Sequence, residues 1–249
     1  MNWIDEGIFL NGRPFGESAS VVTILTSSHG RQAGLVRGGS SRKFRAILQT
    51  GNLVQCAWRG RLQENLGTFT IELIHPIAAT LLNNGMGLAG LSSACALVEA
   101  FLPEREANAA IFLGLRTLLK AIGKNDKWFL EYVRWEVNLL RELGFGLSLE
   151  ACAATGQTHN LRWVSPKTGK AVSADAGAPY ADRLLPLSQF LIAPDSATFQ
   201  DLEDGLKLTT HFLARAAESS GCVLPAARDR LLDSFSRKHT TSCVKTPYD

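Results

Sequence analysis

Cysteine is scarce in this 249-residue chain: there are only Cys56, Cys95, Cys152, Cys222 and Cys243, and no two of them are separated by just two residues. That spacing excludes CxxC and finger-type metal motifs, and no HExxH run is present either. A disulfide framework is not expected, and a reducing compartment suits the chain. Long apolar runs are also missing, all falling well short of the roughly 18 residues that a membrane span needs. The opening MNWIDEGIFLNGR places acids where a secretory leader needs a basic start. A protein of the cell interior, without membrane attachment, is expected. Nor does either charge sign dominate, with 26 Lys and Arg against 23 Asp and Glu, so the placement of charge carries more meaning than its sum.

What the chain does contain is an ordinary globular balance, 45% hydrophobic and 20% charged, which excludes general disorder. Residues 1–80 read as short strands: Ile8–Leu10, Val21–Thr26, Gln32–Val36, Leu53–Trp58 and Leu66–Ile74. The last is the clearest, because Phe69, Ile71 and Leu73 alternate with Thr68, Thr70 and Glu72. Gly30 marks a turn. Five short strands with tight connections suit a small closed barrel or a sandwich.

The period changes after Pro76. Leu88, Leu91, Cys95, Val98 and Phe101 recur at helical spacing until Pro103. A second helix is predicted over about 106–122 and a third over about 126–143, with Asp126 as its cap. The third carries two adjacent apolar stripes, Trp128, Tyr132, Trp135, Leu139 and Leu143 beside Phe129, Val133, Val137 and Leu140. It is expected to be wedged between neighbours, and Gly144 to close it. Residues 152–181 are rich in small residues and weakly periodic, with a hairpin expected at Pro166–Gly169. Helical signal returns over 186–193, 198–219 and 226–236.

Charge placement is the strongest functional signal. Arg31, Arg37, Arg42, Lys43, Arg45, Arg59 and Arg61 fall between positions 31 and 61 with no acid among them, whereas residues 81–227 hold 13 basic and 15 acidic residues. The strand-rich module therefore carries the positive charge. Gly38, Gly39, Ser40 and Ser41 precede the RKFR cluster, which predicts a mobile basic loop suited to reading a nucleic-acid backbone. Trp58 and Phe69 supply stacking platforms if they face outward, although a core place suits Trp58 better. Phe44 either stacks on a base or anchors the loop against the barrel.

Enzymatic readings find little support. His29, His75, His159, His211 and His239 sit in separate segments, and Gly34–Gly39 lacks the Gly-Lys-Ser/Thr of a phosphate loop. Asp201, Glu203 and Asp204 flank a helix start, where acids favour the helix dipole.

Gly7, Gly16 and Glu17, then LTSSHGRQAGLVRGG and SRKFRAILQTGN, resemble the N-terminal region of the RecO family of bacterial recombination mediators. FLEYVRWEVNLLRELGFGLSLEAC resembles the helix of that family that runs into its knuckle region. The resemblance implies an α+β architecture: a five-stranded oligonucleotide-binding (OB-fold) barrel over 1–80, then an all-helical domain over 81–151 and 182–249 interrupted by a zinc-knuckle-like insertion at 152–181. It also implies a non-enzymatic, cytoplasmic, nucleoid-associated protein of DNA repair and recombination in the RecF pathway. Such a protein binds single- and double-stranded DNA, anneals complementary strands and contacts the C-terminal tail of single-strand-binding protein. With RecR it helps load RecA onto coated strands. The family motif GRxxGLxRGxxSRKFR falls on Arg31, Arg37, Arg42, Lys43 and Arg45.

The chain departs from the family in the knuckle. Where many members carry two C-x₂-C pairs, this one reads Cys152-Ala-Ala-Thr155-Gly156 and Ser173-Ala-Asp-Ala176. One thiolate does not make a structural zinc site, and the spacing of His159 and Asp175 fits no knuckle. No metal or other cofactor is expected, and Trp163, Val164, Val172 and Tyr180 are the expected anchors of the loop. The competing functional class is a non-catalytic adaptor whose basic arm recruits an acidic protein tail, with little direct DNA binding. Steep salt dependence of oligonucleotide binding separates the two.

Overall fold

The computed structural model describes residues 1–61, 66–124, 127–193 and 197–243, with side chains followed through residue 237. The chain divides into two compact units, Met1–Lys124 with Pro225–Asp249, and Asn125–Leu224.

The first unit begins with strands β1 (Asn2–Phe15), β2 (Ala19–Thr26) and β3 (Gly30–Val36), the short helix α1 (Arg42–Ile47), then β4 (Leu53–Arg59) and β5 (Gly67–His75). The strands close into a barrel of order β1-β2-β3-β5-β4, with the parallel β3–β5 pairing sealing it. This is the expected OB barrel. Alternation drives it: along β3 every second residue is buried, and along β5 Gly67, Phe69 and Ile71 point inward while Thr68 and Thr70 do not. Phe9, Val22, Ile24, Val36, Val54, Cys56, Trp58, Phe69 and Ile71 fill the interior. Gly30, at φ +66°, makes the β2–β3 turn, as its sequence context predicts.

β1 is far longer than the Ile8–Leu10 core that its sequence reveals, because its flanks carry no apolar alternation and even Ile4 and Phe15 stand exposed. Ile8, Phe9 and Leu10 are buried in succession, so both faces of the strand are covered there. After the short α2 (Ile77–Thr80), helices α3 (Gly85–Phe101) and α4 (Ala109–Ala121) lie against β1 and β2. Arg116 reaches Glu6 at 3.1 Å from α4. Asn108 caps α4 by accepting the amide of Ile111, which starts this helix three residues later than the apolar period suggests. Asn52 knots the unit together. Its side-chain amide donates to the carbonyls of Ala46 and Ile47, and its oxygen accepts the amide of Ala78. The last helix, α8 (Ala226–Cys243), packs on α3.

In the second unit the helix predicted from two apolar stripes is α5 (Trp128–Glu142). Trp128, Phe129, Tyr132, Val133, Trp135, Leu139 and Leu140 are all buried along it. Its expected cap, Asp126, lies outside the described residues. Gly144, at φ +84°, ends it: the amides of Gly144 and Phe145 close on the carbonyls of Arg141 and Leu140. Helix α5 packs on α7 (Phe199–Ser220), whose start carries a capping box between Thr198 and Asp201. Between the two helices the chain forms β6 (Leu161–Val164), β7 (Ala171–Ser173), the single turn α6 (Ala174–Gly177) and β8 (Leu185–Pro186), a sheet of order β7-β6-β8. The expected hairpin at 166–169 joins β6 to β7.

The helix predicted over 186–193 does not form. Leu185 and Pro186 pair with Val164 and Trp163, and only the 3₁₀ turn Gln189–Leu191 follows. Proline cannot donate within a helix, and an available strand edge wins the segment. Among the knuckle anchors Val164 is fully buried and Trp163 and Val172 are half-buried, but Tyr180 is 57% exposed and anchors nothing. Leu161, Ala171 and Leu187 supply the burial instead.

Candidate nucleic-acid interface

The Gly38–Ser41 stretch is a folded turn rather than the expected mobile loop. The amide of Ser40 bonds the carbonyl of Ser18, its hydroxyl bonds that of Ala19, and the amide of Ser41 bonds that of Gly38. Ser41 then stands at the start of α1. Phe44, Ile47 and Leu48 pack from this segment onto the barrel core, so Phe44 is an anchor and not a base platform. That leaves Arg42, Lys43 and Arg45 exposed, on the solvent side of a helix whose other side is held in place. Arg37, one residue past β3, is exposed as well.

Trp58 and Phe69 face inward. Trp58 is 1% exposed, and its indole N–H donates to the carbonyl of Ala33 at 3.3 Å. Neither ring stacks on a base without opening the barrel. Trp3 is the accessible aromatic of that side, stacked on His29 with ring centres 4.0 Å apart. It packs on the barrel core and lines a cleft with Asn2, Ile4, Ala57, Arg59, Thr68 and Thr70. Its position three residues from the start, outside any aromatic pattern, hid it from sequence reasoning.

The fold also divides the basic run. Arg31 is committed to structure: its Nε donates to the carbonyl of Leu102 at 2.9 Å, and its guanidinium lies 3.9 Å from Glu104. Arg59 closes β4 opposite Asn2, at the beginning of β1. Arg61 follows two residues on, and both arginines line an open cleft of ≈ 610 Å³ with Met1, Asn2, Gly60 and Thr68. The Met1 amine donates to the carbonyl of Gly60 there, at 2.7 Å. Arg45 belongs to the other end of the barrel, where it lines a groove with Arg13, near the far end of β1. Arg13 lies eleven steps along β1 from Asn2, about 36 Å of chain at ~3.3 Å per extended residue. Seven basic residues within the acid-free stretch 31–61 are thus one structural arginine and two separate surfaces.

The knuckle positions do converge. Cys152 is buried, its sulfur 3.4 Å from the Ser173 hydroxyl and 3.2 Å from the Ser173 amide, which donates to it. Burial opposes ionisation of this thiol, but hydrogen bonds from the side chains of Ser173 and Thr155, and then from their backbone groups, outweigh it and bring its pKa down to about 6. The donor set does not fit zinc: one sulfur and two hydroxyls meet where four sulfur or imidazole ligands are needed, and Ala176 offers no donor. Among the described residues no group of three or more His, Cys, Asp or Glu is placed to hold a metal.

A basic OB barrel joined to helices and a small knuckle-like sheet defines a class of oligonucleotide-binding-fold proteins with a helical extension. Comparison with known families makes this specific. The family described as Recombination protein O N terminal matches residues 1–77, and Recombination protein O C terminal matches residues 83–220. The DNA repair protein RecO of Rhodospirillum centenum is 48% identical over 98% of both chains. That of Roseobacter denitrificans is 43% identical over 96% of this chain and all of its own, and one from Cereibacter sphaeroides is 44% identical over 95% of this chain. The chain belongs to the RecO family, and its role lies in DNA repair and recombination. No helix among the described residues is long and apolar enough to cross a membrane.

Proposed function

We propose that this chain is a non-catalytic recombination mediator that binds single- and double-stranded DNA and anneals complementary strands. With RecR it helps load RecA onto strands coated by single-strand-binding protein, whose C-terminal tail it contacts, and it works at the nucleoid in the cytoplasm. The observation that carries this reading is the exposed set Arg37, Arg42, Lys43 and Arg45, held on a turn and helix anchored by Phe44. None of the four makes an ion pair among the described residues, so their charge is available to phosphate. Side chains of this kind read the backbone and not base edges, and binding should be indifferent to sequence. The DNA-reading module is proposed as residues 1–80, including Arg59 and Arg61 at the opposite end of the barrel. Annealing needs no group transfer; two strands with neutralised phosphates, brought together, pair by themselves.

Replacing Arg42, Lys43 and Arg45 together by Ala tests the reading. The variant is expected to lose affinity for every oligonucleotide by a similar factor and to anneal coated complementary strands more slowly, with an unchanged melting temperature. The slope of log affinity against log salt should flatten by about 0.7 for each single-strand phosphate contact removed. Wild-type affinity in this variant at low salt would transfer the basic surface to the adaptor reading, in which it recruits an acidic protein tail.

A further inference from the structure

The β1–β2 hairpin runs past the barrel to Phe15, with Gly16 in a left-handed turn at its tip. Between this hairpin and the segment leading through α1 lies a groove of ≈ 280 Å³. Gly12, Arg13, Pro14 and Ser20 line it from the hairpin; Gly39, Ser40, Arg45, Leu48 and Gln49 line it from the turn and helix; Phe9 forms its base. Glycine lets the walls approach at Gly39 and makes room for the Phe9 ring at Gly12. A Cβ on Gly39 would come within 2.8 Å of Ser20, and one on Gly12 within 3.0 Å of the Phe9 ring. No acid lines the groove, and the acid that β1 does meet, Glu99, bonds Asn11. Glu17 lies beyond the groove, in the hairpin turn.

We propose that this groove seats the sugar–phosphate backbone of one nucleic-acid strand, with Arg13 and Arg45 contacting phosphate from its two walls. The inference rests on the DNA-binding reading above and adds both a place and a residue to it. The chemistry is complementary throughout. The two guanidiniums answer phosphate charge, and Pro14 and Leu48 offer an apolar surface to the sugars. At ≈ 280 Å³ the groove falls just below the ~300 Å³ at which small-ligand sites begin, room for a short stretch of one strand's backbone. Arg13 stands outside the basic run 31–61, between Gly12 and Pro14, and only the fold brings it beside Arg45.

Anisotropy titrations of a fluorescent oligothymidine against the full chain, repeated over a range of salt, test this. Oligothymidine has no internal pairing, so the backbone contacts dominate. Arg13→Ala should weaken binding about as much as Arg45→Ala, and each should flatten the salt slope by about 0.7. Arg13→Lys should restore most of the affinity, and the melting temperature of Arg13→Ala should match that of the wild type. The loss should be larger for oligothymidine than for a duplex of equal length. Wild-type affinity and slope in Arg13→Ala, with Arg45→Ala weakened, would overturn the groove while leaving DNA binding by α1 intact. A loss that Arg13→Lys fails to restore would overturn the charge argument. Failure of the wild-type chain to bind either probe at low salt would defeat the DNA-binding reading itself, and the groove with it.

Discussion

Two tryptophans, Trp58 in the barrel and Trp163 in the small sheet of the second unit, occupy strands and pack over glycine, yet their polar ends fare differently. A Cβ at Gly60 or Gly67 would fall 2.2–2.3 Å from the Trp58 ring, and one at Gly177 would fall 2.3 Å from Trp163. In both places glycine leaves room for an indole. The Trp58 N–H is bonded to Ala33 inside a closed ladder of strands. The Trp163 nitrogen is buried without a partner among the described residues. The barrel thus combines burial with satisfied polar groups, whereas the knuckle-like sheet combines shallower burial with an orphaned donor and a polar knot around Cys152. One region is held by its apolar core, the other by local hydrogen bonding.

The largest expected effect tests the first half of that contrast. Trp58→Ala empties the barrel core and removes the indole's bond to the Ala33 carbonyl, which keeps the Gln32 side-chain amide as a donor, at a cost of about 3–5 kcal/mol. Urea unfolding of the purified variant measures it. A loss below about 1 kcal/mol would mean that the barrel does not depend on its central ring.

The second effect is smaller and depends on pH. Cys152 titrates near 6 in the folded chain against an ordinary 9.0. An acid with a lowered folded pKa adds stability fully above its unfolded value and loses it as pH falls toward the folded one. Urea midpoints should therefore decline from pH 9 to pH 6, at no more than about 1.4 kcal/mol per pH unit from this group. Cys152→Ala should flatten that decline, whatever its effect at a single pH. Parallel midpoint-against-pH curves for the wild type and the variant would show that the thiol stays protonated.

What the sequence disclosed follows the same division. The alternation at Phe69 and Ile71 and the two stripes of α5 were legible because periodic burial leaves a periodic record, although Leu73, expected on the same inner face, is exposed. The ends of β1 left no such record, since polar residues there mix without rhythm with exposed apolar ones such as Ile4 and Phe15. Helix α1 was hidden behind Gly38, Gly39, Ser40 and Ser41, which read as a loop; six residues make a helix here because Phe44, Ile47 and Leu48 rest on the barrel. The charge run was visible, but its partition was not. Strand pairing sets Arg59 beside Asn2, a side-chain bond turns Arg31 to Leu102, and the packing of α1 against the β1–β2 hairpin puts Arg45 on the same groove as Arg13. In the knuckle the missing thiols were plain, while the convergence of Ser173 and Thr155 on Cys152 required the fold.

The smallest expected effect sharpens the contrast most, because it applies one chemical change to both tryptophans. Replacing Trp by Phe removes the indole N–H together with part of the ring. At Trp58 the change removes a made hydrogen bond and thins a fully buried core site, so Trp58→Phe should cost about 1–3 kcal/mol. At Trp163 the same change removes a donor that has no acceptor. The lost packing of a half-buried ring is then offset by relief of a buried unsatisfied group, and Trp163→Phe should alter stability by less than about 1 kcal/mol in either direction. Far-ultraviolet melting curves of the two variants under one buffer give the comparison. A Trp163→Phe loss equal to that of Trp58→Phe would show that the Trp163 nitrogen is bonded in solution, by water or by a shifted neighbour. The two regions would then be stabilised alike.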